Sequence, residues 1–281
     1  MKDAYQELYL TCFPEDTPED AAHLFKGVFS KAICLERKVA GRPIAMLYLM
    51  DCNLVSANGV APFYYLYAAC THPDFRVQGI MGQLLAEAKQ VAIQNGKQGI
   101  FLKPANRPLF DFYQKSAFLP FFAVCKLQIS TQAFGAFCQT MPLQAVSADP
   151  CSMEEWYDTR RTLLPRLTTL YADFPKSLLL GATDGCQALR LEGAGLVYEI
   201  REDTLLVKEA LVLPEKEPAL FSLLYDLLGT TGCRNLELRL PATACSPALQ
   251  QLGGRVEPFS VIWSAKPIPT TQTPYHGFAF D

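Results

Sequence analysis

Histidine is scarce in this chain: His23, His72 and His276 are the only three among 281 residues. Ten cysteines are present, yet no two stand in a C-x-x-C pair. Zinc-ligand spacing is therefore missing, and no metal is expected. Basic runs are absent, and so are basic stripes interleaved with aromatics. Nucleic acid is excluded as a partner on that ground. No apolar run reaches the length of a bilayer span, so no membrane partner is expected either. The first residues, Met1-Lys2-Asp3-Ala4-Tyr5, lack the charged and apolar regions of an export signal. Many cysteines without such a signal fit a reducing, cytoplasmic location, with most thiols acting as small core residues.

Apolar residues are plentiful. They make up 50% of the chain, enough for one large core or two ordinary ones. The formal net charge is −3, which leans toward a cationic small partner. Nothing in the sequence sets an oligomeric state.

The most informative stretch is 63–96. Phe63-Tyr64-Tyr65-Leu66-Tyr67-Ala68-Ala69-Cys70 has no polar alternation and reads as a strand buried on both faces. Further on, Ile80, Met81, Leu84, Leu85, Ala88, Val91 and Ala92 form one stripe of an amphipathic helix. Asn95-Gly96 supplies the left-handed end of that helix. Between strand and helix lies Thr71-His72-Pro73-Asp74-Phe75-Arg76-Val77-Gln78-Gly79. A helix start of this kind presents unpaired N–H groups, and a glycine lets a phosphate approach them. On spacing alone, an ordinary strand-to-helix turn remains an equal reading.

The run Arg76-Val77-Gln78-Gly79-Ile80-Met81 resembles the acyl-CoA loop of the GNAT N-acetyltransferases, (Gln/Arg)-x-x-Gly-x-(Gly/Ala). One position departs: Met81 holds the last small site, and the glycine follows at Gly82. A large apolar residue there occurs in the enhanced-intracellular-survival (Eis) type of the family. The resemblance covers roughly residues 1–130. It implies acetyl-CoA as cofactor, held by Cys70, Thr71, Arg76, Val77, Gln78, Gly79, Ile80, Met81, Gly82 and Asn106.

The rest of the first half agrees in order. Residues 4–12 read as a short helix. Thr17-Pro18-Glu19-Asp20 opens a second, with Thr as cap and Pro in the first turn. The acids Glu15, Asp16, Glu19 and Asp20 serve either capping or the reception of a cationic amine. Residues 32–38 and 43–52 read as a hairpin over Ala40-Gly41. After the long helix come a strand at 99–103, a helix at 109–115 and a strand-rich segment at 117–129 broken by Pro120. Phe112-Tyr113 followed by Phe118 is similar to the family's Tyr-x-x-x-Gly-Phe element, with Ala117 in place of the glycine.

Residues 131–150 read as a connector between two domains, 1–140 and 150–281. After a possible opening helix at 156–167, the second half echoes the first. Strands at 189–191, 194–201 and 205–213 lead to a helix at 218–228, then a strand at 235–240, a helix at 247–252 and a strand at 259–263. Its strand-to-helix loop is Leu213-Pro214-Glu215-Lys216-Glu217-Pro218. Two prolines there lack N–H donors, and two carboxylates would repel an anion. The expected fold class is therefore α/β (α+β): two tandem GNAT-like domains, each a mixed sheet flanked by helices, the second degenerate and shaping the acceptor site. This architecture resembles the Eis group without its C-terminal sterol-carrier-like domain.

The implied chemistry is transfer of an acetyl group to a primary amine of a small polar or cationic acceptor, by direct attack on the thioester. A peptide amine, or acyl-CoA binding without turnover, are the alternatives. The family's catalytic tyrosine corresponds to Tyr113, as acid toward the leaving thiolate; read from residues alone, Tyr113 is equally a core amphipath. No base stands out. His72 fits its own His-Pro-Asp turn, Cys70 reads as a packed thiol or a nucleophile, and Asp51 is a candidate by proximity only. The tail carries Tyr275, Phe278 and Phe280 within its last seven residues, too aromatic for a solvated end. It is expected to dock between the halves. In Eis-type enzymes the terminus supplies the base, which implies Asp281 or His276 here, against the alternative that the tail only stabilises the second half.

Overall fold

The computed structural model describes residues 4–141, 146–183 and 185–277. The first set of elements is α1 (Ala4–Cys12), α2 (Pro18–Lys26), β1 (Ile33–Val39), β2 (Arg42–Ser56), β3 (Gly59–Thr71), α3 (Ile80–Gln94), β4 (Gly99–Leu102), α4 (Arg107–Gln114) and β5 (Leu119–Ser130). α2 starts with a full capping box. The Thr17 hydroxyl accepts from Asp20 N–H, and the Asp20 carboxylate accepts from Thr17 N–H at 3.0 Å. α3 buries Leu84, Leu85, Ala88 and Ala92, one face of the expected stripe, and the chain leaves it through Gly96 at φ 70°. β5 is not broken at Pro120. That residue sits beside a register irregularity, where a missing N–H costs the ladder nothing.

The stretch expected as a connector, 131–150, is partly folded. It contains α5 (Thr131–Cys138), which buries Phe134 and Cys138, and β6 (Asp149–Cys151). Its small residues allow close packing there and do not mark a linker. Then follow α6 (Met153–Leu167), β7 (Leu170–Asp173), α7 (Lys176–Ala182), β8 (Gln187–Leu191), β9 (Ala194–Arg201), β10 (Thr204–Val212), α8 (Glu217–Thr231), β11 (Asn235–Pro241), α9 (Pro247–Gln251) and β12 (Arg255–Ser264). β6, β7 and α7 have 3, 4 and 7 residues, too few to show a period in the sequence.

Eleven strands join in one mixed sheet in the order β1-β2-β3-β4-β12-β5-β11-β10-β9-β8-β6, and β7 pairs with the far end of β2 as the twelfth. The two halves are related across the middle. Moving outward from the centre, β4, β3, β2, β1 on one side correspond to β11, β10, β9, β8 on the other. At the centre each half lends a strand to its neighbour. β12 lies between β4 and β5, and β5 lies between β12 and β11. A cut near 140–150 therefore separates the halves in sequence but not in the sheet. Gly99 shows how tight this junction is: a Cβ there would stand 2.2 Å from the Trp263 carbonyl oxygen on β12.

Three apolar layers cover the sheet. One lies under α3 and α4, with Tyr64, Leu66, Leu84 and Phe118. A second lies under α5 and α8, with Phe134, Phe221 and Leu224. The third spans both halves on the opposite face, from Tyr9, Phe29 and Tyr65 to Trp156, Leu164 and Leu211. β3 contributes to both faces, Phe63 and Tyr65 to one and Tyr64 and Leu66 to the other, as a strand without polar alternation must.

The tail closes this third layer. Tyr275 N–H donates to the Leu170 carbonyl and Ala172 N–H donates to the Tyr275 carbonyl, both at 2.9 Å, so the tail adds to β7. The Tyr275 ring is buried beside a buried ion pair, Arg160 Nε to Glu209 Oε2 at 3.1 Å. Burial, and Glu209 next to it, push the Tyr275 phenol well above its usual pKa. Arg160 also donates to the carbonyls of Ala172 at 3.2 Å and His276 at 3.4 Å. One guanidinium thus ties α6, β7, β10 and the tail together. Arg160→Ala would leave the Glu209 charge buried and unpaired. It is expected to cost about 3–5 kcal/mol in urea unfolding; a loss below about 1 kcal/mol would show that the pair does not hold the tail.

Candidate acyl-transfer site

The site is built where β3 parts from β4. The two strands pair in parallel only from Phe63/Gly99 to Tyr65/Phe101. Just beyond, β3 bulges: Met46 faces Cys70 but Tyr48 faces Tyr67, so one extra residue is inserted, and Ala68 takes φ 52°. The bulge turns the strand end away from β4 and opens a wedge.

The loop into α3 lines the mouth of that wedge. His72 accepts from Asp74 N–H at 3.3 Å and so belongs to its own turn. Arg76 Nε donates to the Thr71 carbonyl at 3.0 Å and folds the loop back on the strand. Val77 has φ 64° and Gly79 φ 77°. No side chain caps α3, and its first backbone bond runs from Gln83 N–H to the Gly79 carbonyl. The N–H groups of Ile80, Met81 and Gly82 therefore have no intrahelical acceptor. A Cβ added at Gly79 would meet nothing within 4 Å, so an anion can come close there. The residues present fit the diphosphate of a coenzyme.

A cavity of about 580 Å³ joins these parts. Of the expected cofactor residues, Cys70, Thr71, Arg76, Val77, Gly79, Ile80, Met81, Gly82 and Asn106 line it, and Gln78 does not. Asn106 caps α4, its side-chain oxygen accepting from Leu109 N–H at 3.3 Å. Tyr113, in the last turn of α4, lines the same cavity and is buried. Burial first, and Cys70 second, push its phenol pKa up, so the hydroxyl keeps its proton at neutral pH.

The end of α1 and the loop after it complete the wall with Cys12, Phe13 and Glu15. Sequence reasoning missed Cys12 and Phe13. Their contact with β3 is a packing of distant segments, which no local spacing reports. Of the four acids near Thr17, only Glu15 lines the cavity; Asp16 accepts from the Tyr9 hydroxyl and Asp20 caps α2.

Two base candidates lie elsewhere. His276 is fully buried in a cage of Tyr65, Phe101, Phe122, Phe174 and Phe259, with Nδ1 against the Ser260 hydroxyl. It does not line the acyl cavity, which corrects the role expected of it: a ring enclosed by aromatics has no route to an incoming amine. Asp51 pairs with Lys97 and also lies outside this cavity. Asp281 lies outside the described residues.

In the second half, the corresponding loop is a short 3-10 turn, Pro214–Lys216, leading straight into α8. Glu217 and Pro218 occupy its first turn. No helix among the described residues is long and apolar enough to cross a membrane.

Residues 2–118 match the family model described as Acetyltransferase (GNAT) family. No curated protein matches the chain in sequence. Solved structures resemble it in fold. A GCN5-related N-acetyltransferase from Anabaena variabilis superposes with a TM-score of 0.70 at 13% identity, covering 92% of this chain and 68% of its own. Eis1 from Mycobacterium abscessus gives 0.66 at 12%, covering 93% and 70%. A tandem GNAT protein from the clavulanic acid biosynthesis pathway gives 0.57 at 14%, covering 95% and 96%. The wedge, the loop and the match over 2–118 define an acyltransferase domain. Residues 2–118 thus carry a GNAT-type acetyltransferase domain, and the chain as a whole has a fold similar to that of tandem GNAT proteins.

Val77 holds a left-handed backbone with its β-branched side chain fully exposed. That conformation costs about 1–2 kcal/mol and the side chain recovers nothing by packing. Val77→Gly is expected to raise stability by about 1 kcal/mol in urea unfolding, after the entropy of glycine is subtracted. A fall in stability would show that the loop depends on the valine.

Proposed function

We propose that this protein transfers the acetyl group of acetyl-CoA to a primary amine of a small polar or cationic acceptor, by direct attack on the thioester. The observation that carries the proposal is the cavity itself. It brings together a helix start free of side-chain caps, the bulged end of β3 and the protonated Tyr113.

Residues 1–140 hold the cofactor in this reading. The N–H groups of Ile80, Met81 and Gly82 take the diphosphate. Backbone N–H at Cys70–Thr71 polarises the thioester carbonyl and receives the charge that develops on its oxygen. Tyr113 donates its proton to the leaving sulfur. Residues 150–281 close the acceptor side and bind no cofactor, because Pro214 and Pro218 offer no N–H and Glu215 and Glu217 repel phosphate. The Glu15 carboxylate in the cavity wall supports a cationic acceptor, as does the net charge of −3.

Calorimetry with acetyl-CoA tests the cofactor half of the proposal. One site per chain is expected, and Gly79→Asp abolishes it by placing a side chain and a carboxylate against the diphosphate. Two equivalent sites would refute the division of labour between the halves.

Release of free coenzyme A thiol across a panel of amines tests the catalytic half. Tyr113→Phe should lower the rate by up to about 10²-fold and leave cofactor binding unchanged. The phenol pKa is raised, so the hydroxyl stays protonated through neutral and mildly alkaline pH, and the loss should be equal across that range. Full activity in Tyr113→Phe would make the residue a packing group. Binding without turnover of any amine would favour a sensor.

A further inference from the structure

Two thiols meet in the acyl cavity. Cys12 is the last residue of α1 and Cys70 lies one residue from the end of β3. Both line the cavity. Arg76 and Tyr113 line the same cavity. Cys70 lies close enough to Tyr113 for its charge to act on the phenol. Arg76, Cys12, Cys70 and Tyr113 thus share the wall of the cavity that would hold the thioester. The direct-attack mechanism leaves Cys12 unused.

The two thiols differ in kind. Cys70 is buried, and its pKa is pushed well up by the contact with Cys12 and by burial. Cys12 is half-buried, and its pKa is brought down to about 7. The hydrogen bond from Cys70 is the main cause; Arg76 adds to it, against the cost of burial. The negative end of α1 opposes a charge here, and the guanidinium offsets it. Of the two thiols, Cys12 is therefore the more easily ionised. A thiolate is the nucleophilic form of cysteine, and Cys12 lines the cavity.

We propose that Cys12 is a second acyl acceptor within the cavity, taking the acetyl group when no amine is present; this rests on the cavity's being the acetyl-CoA site. Cys12 Sγ forms a bond to the thioester carbonyl carbon. The bond from that carbon to the coenzyme sulfur breaks, and its electron pair leaves on that sulfur. The coenzyme sulfur takes the Tyr113 proton, and water restores the phenol. One thioester replaces another, so the exchange is reversible and needs no oxidant or reductant.

The test uses the full chain, kept reduced with a phosphine and mixed with acetyl-CoA without amine. Peptide mapping by mass spectrometry is expected to find an acetyl group on Cys12 that neutral hydroxylamine removes. Labelled coenzyme A is expected to exchange into unlabelled acetyl-CoA under the same conditions. Both signals should be lost in Cys12→Ser and in Cys12→Ala, with calorimetry checking that each variant still binds acetyl-CoA. The wild-type measurements stand even if a variant misfolds. A wild type that binds acetyl-CoA but shows neither adduct nor exchange overturns the inference and leaves the proposed function standing. So does an acetyl group found only on a lysine, resistant to hydroxylamine. A wild type that does not bind acetyl-CoA overturns both.

Discussion

The central constraint is the pairing of β12 with β4 and β5. β4 has four residues and meets β3 over only three register positions. Without β12 its other edge would carry backbone groups with no partner inside the sheet. β12 reaches that edge from the other end of the chain, and β5 makes the reciprocal contact with β11. Each half is thus completed by a strand from the other. The wedge between β3 and β4 can stay open for a ligand because β4 is held from its far side. A site that needs a gap in a sheet needs that gap to be braced, and here the brace is the exchanged strand.

Among the described residues, three of the five non-glycine residues with positive φ lie on the ligand side of that brace; the other two, Ala40 and Glu202, sit in hairpin turns. Ala68, Val77 and Ala117 all have positive φ, at 52°, 64° and 57°. Left-handed alanine and valine each cost of order 1 kcal/mol. Ala68 forms the bulge, Val77 lies in the loop before α3, and Ala117 follows α4, which carries Tyr113. Ala117 also explains its own place in the motif: it stands where the family has glycine, and its backbone adopts the conformation a glycine would. The departure in residue type leaves the geometry unchanged.

Much of this was legible in the sequence. Stripe spacing located α3, the lack of polar alternation located β3, and Thr17 through Asp20 located the start of α2. These are local signals, written within one or two turns of chain. Most residues that line the cavity were legible for the same reason, since Arg76, Val77, Gly79 to Gly82 and Asn106 lie on two short segments. What was not legible is pairing over long distances. Nothing in 255–264 says that it lies beside 99–102, and nothing in Cys12 says that it meets Cys70. β7 escaped notice because four residues carry no period, yet it receives both the β2 tip and the tail. Docking of the tail was legible as far as Tyr275, because an aromatic residue needs burial; Phe278 and Phe280 lie outside the described residues. The tail's exact seat was not legible, and the structure takes His276 into a closed cage instead of the acyl cavity.

The two halves share one architecture and differ at the loop between strand and helix. Both bulge the strand before the helix, at Ala68–Ala69 and at Lys208. Both pair that strand in parallel with the next over only three or four positions. The first half then follows with a loop that exposes N–H groups and a glycine at the helix start. The second follows with a proline-flanked turn and places the Glu209 carboxylate just past its bulge, paired with Arg160 and packed against Tyr275. A buried ion pair earns little net stability against an apolar filling. Its effect is positional: Arg160 reaches the carbonyls of both Ala172 and His276, so the charge pair that occupies the second half also sets where the tail lies. The carboxylate just past the second bulge thus fixes the tail at Tyr275 and His276, while the first half leaves the matching place open to its cavity.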